Sequence, residues 1–115
     1  MESQPRFLQG VYPFEGLGLD KPFLIDEQLR YQVPRGLRGQ FVYFRGGNST
    51  DEMIYVVLMR DGEPMRYFPI GAKADSHVAL RVVEDLMSDT SLEVHLAAPP
   101  TTSGFVVIDV GMVEF

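Results

Sequence analysis

Hydrophobic and polar residues alternate with a period of two along much of the chain, a pattern typical of β-strands. The strongest example is Met53–Gly71, in which two apolar runs are joined by Asp61-Gly62. Asp-Gly favours a tight hairpin turn because both residues tolerate positive φ. Both faces of Ile54–Met59 are apolar, so we expect this strand to be covered on both sides. Pro64 cannot donate a ladder hydrogen bond, which predicts an edge or a bulge at the start of the second strand.

Other segments have the same strand character and are separated by turn residues. The predicted strands are Phe23–Val33, Gln40–Arg45, Leu92–Ala97 and Phe105–Val113. The predicted inward residues are Leu92, Val94 and Leu96 in one strand and Val106, Ile108, Val110 and Met112 in another. The segment 46–52 is rich in Gly and polar residues, and we expect a loop there. Short strands with frequent turns indicate an all-β protein, an antiparallel β-sandwich.

The segment 76–88 fits two patterns. Its polar positions would share one face of a helix that Asp75 or Ser76 could cap. Its valines and the alternation of Val78, Leu80 and Val82 favour a strand. We interpret it as a strand that forms a hairpin with Leu92–Ala97, because the surrounding segments are β. The alternative is an α+β sheet with one covering helix.

The first 22 residues are rich in Gly, Pro and aromatic residues, so we expect no regular structure there. We interpret residues 1–22 as an extended aromatic arm over a single β-sandwich domain, residues 23–115. Phe7, Tyr12 and Phe14 would anchor the arm in the core, because three aromatic side chains would be costly to leave in water. The alternative is an exposed arm that docks on a partner.

Charge and composition narrow the function classes. The net charge of −6 argues against a general affinity for nucleic acid or anionic membranes. The sequence has no cysteine, which excludes disulfides, thiolate catalysis and cysteine-ligated metal centres. No signal peptide or membrane-spanning segment is recognisable, so we expect a soluble, cytoplasmic protein.

Aromatic residues and one polar loop are the candidate ligand contacts. Tyr43, Tyr55, Tyr67 and Phe68 could line a sugar-stacking platform on one sheet, although core packing is the alternative. Asn48, Asp51 and Glu52 lie in the flexible 46–52 loop, which lacks the acidic spacing of an EF-hand and could equally be a plain connection.

Catalytic and metal sites are not supported by any motif, and we predict no cofactor. His77, with Asp75, Ser76, His95 and Asp109, could form a histidine–carboxylate site, but exposed or edge histidines are the simpler interpretation. Asp109 lies within an apolar strand, so its carboxylate must reach solvent or pair with a cation. We expect a structural pair with Arg45, Arg66 or Arg81.

Residues 40–115 resemble the jelly-roll of carbohydrate-binding and galactose-binding-like modules. The resemblance is carried by the strand ending in Arg45, the Asp61-Gly62 hairpin, the apolar run Leu92–Leu96 and the last strand with Asp109. It implies a β-sandwich that binds sugars.

Three short runs, GVYPFEGLG, YFRGGNSTDE and YFPIGAKAD, resemble those of short bacterial proteins, some of them labelled molybdopterin oxidoreductases. This chain has too few residues and no cysteine for that activity by itself, so the resemblance implies an accessory subunit.

These observations favour a non-catalytic domain that binds a partner protein or a small polar ligand through the aromatic arm or the 46–52 loop. The alternatives are an accessory subunit or assembly factor of a bacterial redox enzyme, and a small enzyme.

Overall fold

The fold was analysed in a computed structural model that describes the backbone of residues 3–115 and the side chains of residues 3–80 and 84–115. The described chain is built almost entirely of strands. These are β1 (Gln4–Glu15), β2 (Phe23–Leu24), β3 (Arg30–Gln32), β4 (Gly39–Asn48), β5 (Ile54–Arg60), β6 (Glu63–Ile70), β7 (Asp75–Leu86), β8 (Ser91–Ala97) and β9 (Ser103–Glu114). A short 3-10 helix, Glu27–Leu29, precedes β3.

The strands form two antiparallel sheets. The first sheet has the order β1-β9-β4-β7, and the second has the order β2-β8-β5-β6, with β3 also pairing with β8. The predicted all-β antiparallel sandwich, jelly-roll-like in form, is therefore confirmed. No helix that is long and apolar enough to cross a bilayer occurs in the described part of the chain.

The core lies between the two sheets and is centred on aromatic rings. Phe44 of β4 stacks on Phe68 of β6 with ring centroids 4.3 Å apart and planes 9° from parallel. Phe41 meets the same Phe68 ring edge-on at 6.0 Å. These rings join one sheet to the other, because β4 and β6 belong to different sheets.

The inward residues of the last two strands lie as predicted. The buried residues are Leu92, Val94 and Leu96 in β8 and Val106, Ile108, Val110 and Met112 in β9. Both strands occupy the interior of their sheets, so their apolar faces are covered by the opposite sheet.

The central hairpin is also confirmed. β5 and β6 pair antiparallel across Asp61-Gly62, and both turn residues have positive φ. β6 is an edge strand, and its pairing with β5 shifts register beside Pro64. The expected edge position and bulge at this proline are therefore both present.

The segment 76–88 is a strand, as predicted, but its predicted partner was wrong. β7 pairs with β4 in the first sheet, whereas the expected partner, β8, lies in the second sheet. The segment Met87–Thr90 crosses from one sheet to the other instead of closing a hairpin. Period-two alternation identifies a strand but does not indicate which distant strand it pairs with. The side chains of residues 81–83, and with them the expected pairing of Arg81, lie outside the described residues.

The expectation that the first residues lack regular structure was wrong. Gln4–Glu15 pairs with β9 over its whole length, because Gly and Pro are tolerated in an edge strand. Tyr12 and Phe14 are buried as expected, but Phe7 is 52% exposed. Phe7 is an odd number of residues from Tyr12 and Phe14 along the strand, so its side chain points to the opposite face, which is the outer one. The division of the chain at residue 22 stays a prediction.

Two strand boundaries also differ from those predicted. Phe23–Val33 is not one strand, because Asp26 Oδ1 accepts a hydrogen bond from the Gln28 amide at 2.9 Å and caps the 3-10 helix that interrupts it. β4 continues through Gly46, Gly47 and Asn48, which were expected in a loop. These three residues pair with β9, and pairing with a neighbour overrides their weak strand propensity.

Candidate functional site

A row of polar side chains crosses the outer face of the first sheet. Gln9 of β1 is paired with Asp109 of β9, Asp109 with Arg45 of β4, and Arg45 with His77 of β7. Side chains directly opposite one another on neighbouring strands lie on the same face. Antiparallel register therefore assembles these four residues, which come from both ends and the middle of the sequence.

Asp109 is the centre of this row. Its Oδ1 accepts hydrogen bonds from Gln9 Nε2 at 2.9 Å and from the Tyr43 hydroxyl at 2.8 Å. Its Oδ2 faces Arg45 Nη1 at 3.8 Å. The expected pairing of Asp109 with an arginine is thus confirmed for Arg45. Since Oδ1 carries both short hydrogen bonds, Oδ2 retains acceptor capacity.

Tyr43 is held in place by its surroundings. Burial, together with the hydrogen bond to Asp109, raises the pKa of its phenol above the ordinary value, against the opposing effect of Arg45. Its ring meets the His77 ring edge-on, with centroids 6.4 Å apart. The phenol therefore stays protonated at neutral pH and fixes the orientation of the Asp109 carboxylate.

Arg45 and His77 border a shallow cavity of about 380 Å³. Its lining comprises Arg45, Gly46, Gly47, Asp75, Ser76, His77, Val107 and Asp109. Gly47 leaves space above the sheet, because it shares the outer face with Arg45 and has no side chain to project there. The cavity thus presents a guanidinium, an imidazole and two carboxylates beside exposed backbone, a set of donors and acceptors suited to a polar ligand.

Exposed apolar side chains border the polar row on the β1 and β9 side. Val11 is paired with Val107, and these side chains are 62% and 47% exposed. Phe105, one step further along the same face of β9, is 54% exposed. Val107 also lines the cavity, so the polar and apolar surfaces are continuous there.

The four aromatic residues expected on one sheet are divided between two. Tyr43 lies in the first sheet, whereas Tyr55, Tyr67 and Phe68 lie in the second. The prediction of one platform shared by all four residues is therefore wrong, because the chain crosses between the sheets after β4. Phe68 is buried in the core. Tyr55 and Tyr67 remain side by side, with ring centroids 5.6 Å apart.

The predicted polar loop contacts occupy different environments. Asn48 is buried, and its Nδ2 donates to the carbonyl oxygens of Glu52 at 2.8 Å and Gly71 at 3.0 Å. Asp51 and Glu52 are exposed, and Asp51 Oδ1 lies 3.8 Å from Lys73 Nζ. The role of these three residues in ligand binding stays a prediction. The Asn48 side-chain amide already donates its hydrogen bonds to backbone carbonyl groups of the protein.

The histidine–carboxylate group considered from sequence is assembled in part. Asp75, Ser76, His77 and Asp109 line one cavity, whereas His95 lies on the second sheet. His95 Nε2 lies 2.8 Å from Glu93 Oε1 instead. Among the described residues no group of three or more histidine, aspartate or glutamate side chains could hold a metal ion.

Gln9 and Val107 were not identified from sequence as site residues. Gln9 was assigned to an arm without regular structure, so its pairing with Asp109 could not be inferred. The available signal was the position of Asp109 in an apolar strand, since the neighbours of such a carboxylate on adjacent strands must supply donors.

Comparison with known proteins supports the fold. No family model and no curated protein sequence matches the chain. The fold is similar to that of a solved structure, with a TM-score of 0.57 over 96% of each chain. That structure is the crystal structure of the CBM36-1 domain of a multidomain xylanase from the hindgut metagenome of Trinervitermes trinervoides. The identity is 14%, so the similarity concerns the fold alone. The suggested relation to proteins labelled molybdopterin oxidoreductases stays a prediction.

Proposed function

We propose that the protein is a non-catalytic binding module for a small polar ligand of the carbohydrate class. The observation that carries this proposal is the polar row of Asp109, Arg45 and His77 beside the exposed apolar pair Val11 and Val107. The similar structure belongs to a xylanase and is described as a CBM36 domain, which favours a sugar over other polar ligands.

The chemistry of a sugar matches both parts of this surface. A pyranose ring presents hydroxyl groups at its edge and C–H groups on its faces. Asp109 Oδ2 would accept a hydrogen bond from one hydroxyl, while the Arg45 guanidinium would donate to its neighbour. The C–H face would lie against Val107. The two carboxylates in the cavity outnumber its one guanidinium, and this excess of negative charge favours a neutral sugar over an acidic one.

The test is a glycan array followed by isothermal titration with any oligosaccharide that binds, beginning with xylohexaose and cellohexaose. Arg45→Ala and Asp109→Asn should each weaken binding by about tenfold or more, since hydrogen bonds to charged groups contribute about 1.5–3 kcal/mol. Arg35→Ala is the matched control, because Arg35 lies in the connection between β3 and β4 and pairs with Asp89 at 3.5 Å.

Absence of binding to every glycan tested, or full affinity in both site variants, would overturn the proposal. Circular dichroism should show unchanged β structure in all variants, because Arg45 is 61% exposed and Asp109→Asn preserves side-chain volume.

A further inference from the structure

The second sheet has its own exposed aromatic surface, on the side of the molecule opposite the cavity. Tyr67 of the edge strand β6 is 58% exposed, and its ring lies 5.6 Å from that of Tyr55 on β5, with planes at 57°. Pro69, also exposed, is paired with Tyr55. Tyr55 is half-buried, so an exposed ring, a half-buried ring and a proline form one continuous apolar surface on this face.

One of the two rings is held by a hydrogen bond, and both lie on paired strands. The Tyr55 hydroxyl donates to the Leu19 carbonyl oxygen at 2.7 Å, which ties the ring to the segment after β1. Tyr67 is paired with Val57, which is buried beneath the outer face of the sheet. The hydrogen bond to Leu19 holds the Tyr55 ring in place without a ligand, which lowers the conformational entropy that binding would cost.

A set of charged and polar side chains lies beside the rings on the same face. Val57, the partner of Tyr67, is paired on its other edge with His95 of β8. His95 Nε2 lies 2.8 Å from Glu93 Oε1, and Arg30 Nε lies 2.9 Å from Glu93 Oε2. Each carboxylate oxygen of Glu93 has one such contact and a second lone pair available.

We propose that Tyr55 and Tyr67 form a second saccharide-binding platform that stacks on the C–H face of a neutral pyranose, with its hydroxyl groups directed towards His95 and Glu93. Aromatic rings attract the electropositive C–H groups of a sugar through their electron-rich faces. The carboxylate, held by Arg30, is oriented before a ligand arrives.

The two binding surfaces face away from each other, because they lie on the outer faces of opposite sheets. A single molecule would therefore hold two saccharide chains, or two segments of one long chain, on its two sides. The platform itself stands on its own geometry, whereas this bivalence also rests on the proposed function of the cavity.

The test is a ¹H–¹⁵N NMR titration of the whole chain with xylohexaose and, separately, cellohexaose. We expect two groups of shifted amides, one near Gly47 and His77 and the other near Tyr67 and His95. Tyr67→Ala should weaken the affinity reported by the second group of amides by about two- to tenfold and leave that reported by the first unchanged, given the roughly 0.5–1.5 kcal/mol of an aromatic contact. Tyr67→Phe keeps the ring and should keep the affinity.

The outcomes separate the two proposals. Shifts confined to the Gly47 group, or a Tyr67 group unaffected by Tyr67→Ala, would overturn the platform and leave the cavity proposal standing. Shifts confined to the Tyr67 group would support the platform and overturn the cavity and the bivalence. No shift with either oligosaccharide would overturn both surfaces. The dispersion of each variant's spectrum verifies its fold.

Discussion

The ring of Tyr43 lies directly over Gly111, and a Cβ atom placed on Gly111 would lie 1.8 Å from Tyr43 Cε2. The two residues are cross-strand partners on β4 and β9. The absence of a side chain at Gly111 is what lets the Tyr43 hydroxyl reach Asp109. One glycine thus sets the position of the carboxylate at the centre of the polar row.

Gly111→Ala should therefore displace the Tyr43 ring and lower the free energy of unfolding by about 1–3 kcal/mol, the usual cost of overpacking. Urea unfolding monitored by circular dichroism measures this change. Gly47→Ala is the matched control, because its Cβ would lie 3.6 Å from Val107 Cβ, an ordinary contact. Equal stability of the Gly111→Ala variant and the wild type would contradict the assigned role of Gly111.

We expect the side chain of Asn48 to stabilise the folded state. Its amide nitrogen donates to the carbonyl oxygens of Glu52, Ile70 and Gly71, and its Oδ1 accepts from both the amide and the hydroxyl of Thr50. Asn48→Ala removes these hydrogen bonds and takes away the partner of the Thr50 amide, so we expect a loss of about 1–3 kcal/mol in chemical denaturation. Asp51→Ala, which removes an exposed ion pair, should change stability by no more than about 0.5 kcal/mol. Similar effects of the two substitutions would refute this distinction.

Phe68 should be among the most costly residues to truncate. It is buried and stacks on Phe44 across the two sheets, so Phe68→Ala removes the contact that joins them. We expect a loss of about 3–5 kcal/mol in equilibrium unfolding. Phe7→Ala, on the outer face of β1, should change stability by less than about 0.5 kcal/mol. A comparable loss in both variants would show that the core is not centred where the structure places it.

Stability should fall at alkaline pH. Burial raises the pKa of the phenols of Tyr12, Tyr31, Tyr43 and Tyr55, and the hydrogen bond to Glu114 raises that of Tyr31 further. In the unfolded chain these phenols ionise near pH 10, while in the folded chain they still hold their protons. The folded state then binds more protons than the unfolded state, so the free energy of unfolding decreases as the pH rises.

Urea titrations at pH 8 and pH 11 measure this dependence. Below about pH 9 both states keep their phenols protonated, and these groups should leave stability independent of pH. Tyr31→Phe removes one of the shifted groups and should make the alkaline decline shallower than in the wild type. A decline of the same slope in both proteins would exclude Tyr31 as a contributor.

Local patterns in the sequence predicted a large part of the fold. Period-two alternation identified the inward residues of β8 and β9, and Asp61-Gly62 identified the hairpin. These features depend on neighbours in sequence, which a single chain displays directly. The partner of β7 could not be predicted in this way, because pairing between distant strands depends on which sheet each strand joins.

The candidate site was predictable only in part for the same reason. Asp109 was recognised as a carboxylate needing a partner, and Arg45 was among the partners considered. Gln9 was missed because β1 was not recognised as a strand, and Tyr43 was grouped with Tyr55 and Tyr67 because strand order was unknown. Residue type therefore suggested candidates, while the register of the sheet decided which of them meet.

The position of β9 has a consequence for how the protein forms on the ribosome. β9 lies between β1 and β4 in the sheet, although both of these strands precede it in sequence by more than fifty residues. Until its residues emerge, β1 has no neighbour to pair with, and closing a loop of about a hundred residues carries an entropic cost. β1 must therefore wait, unpaired and open to chaperones or to other nascent chains, until β9 has been made.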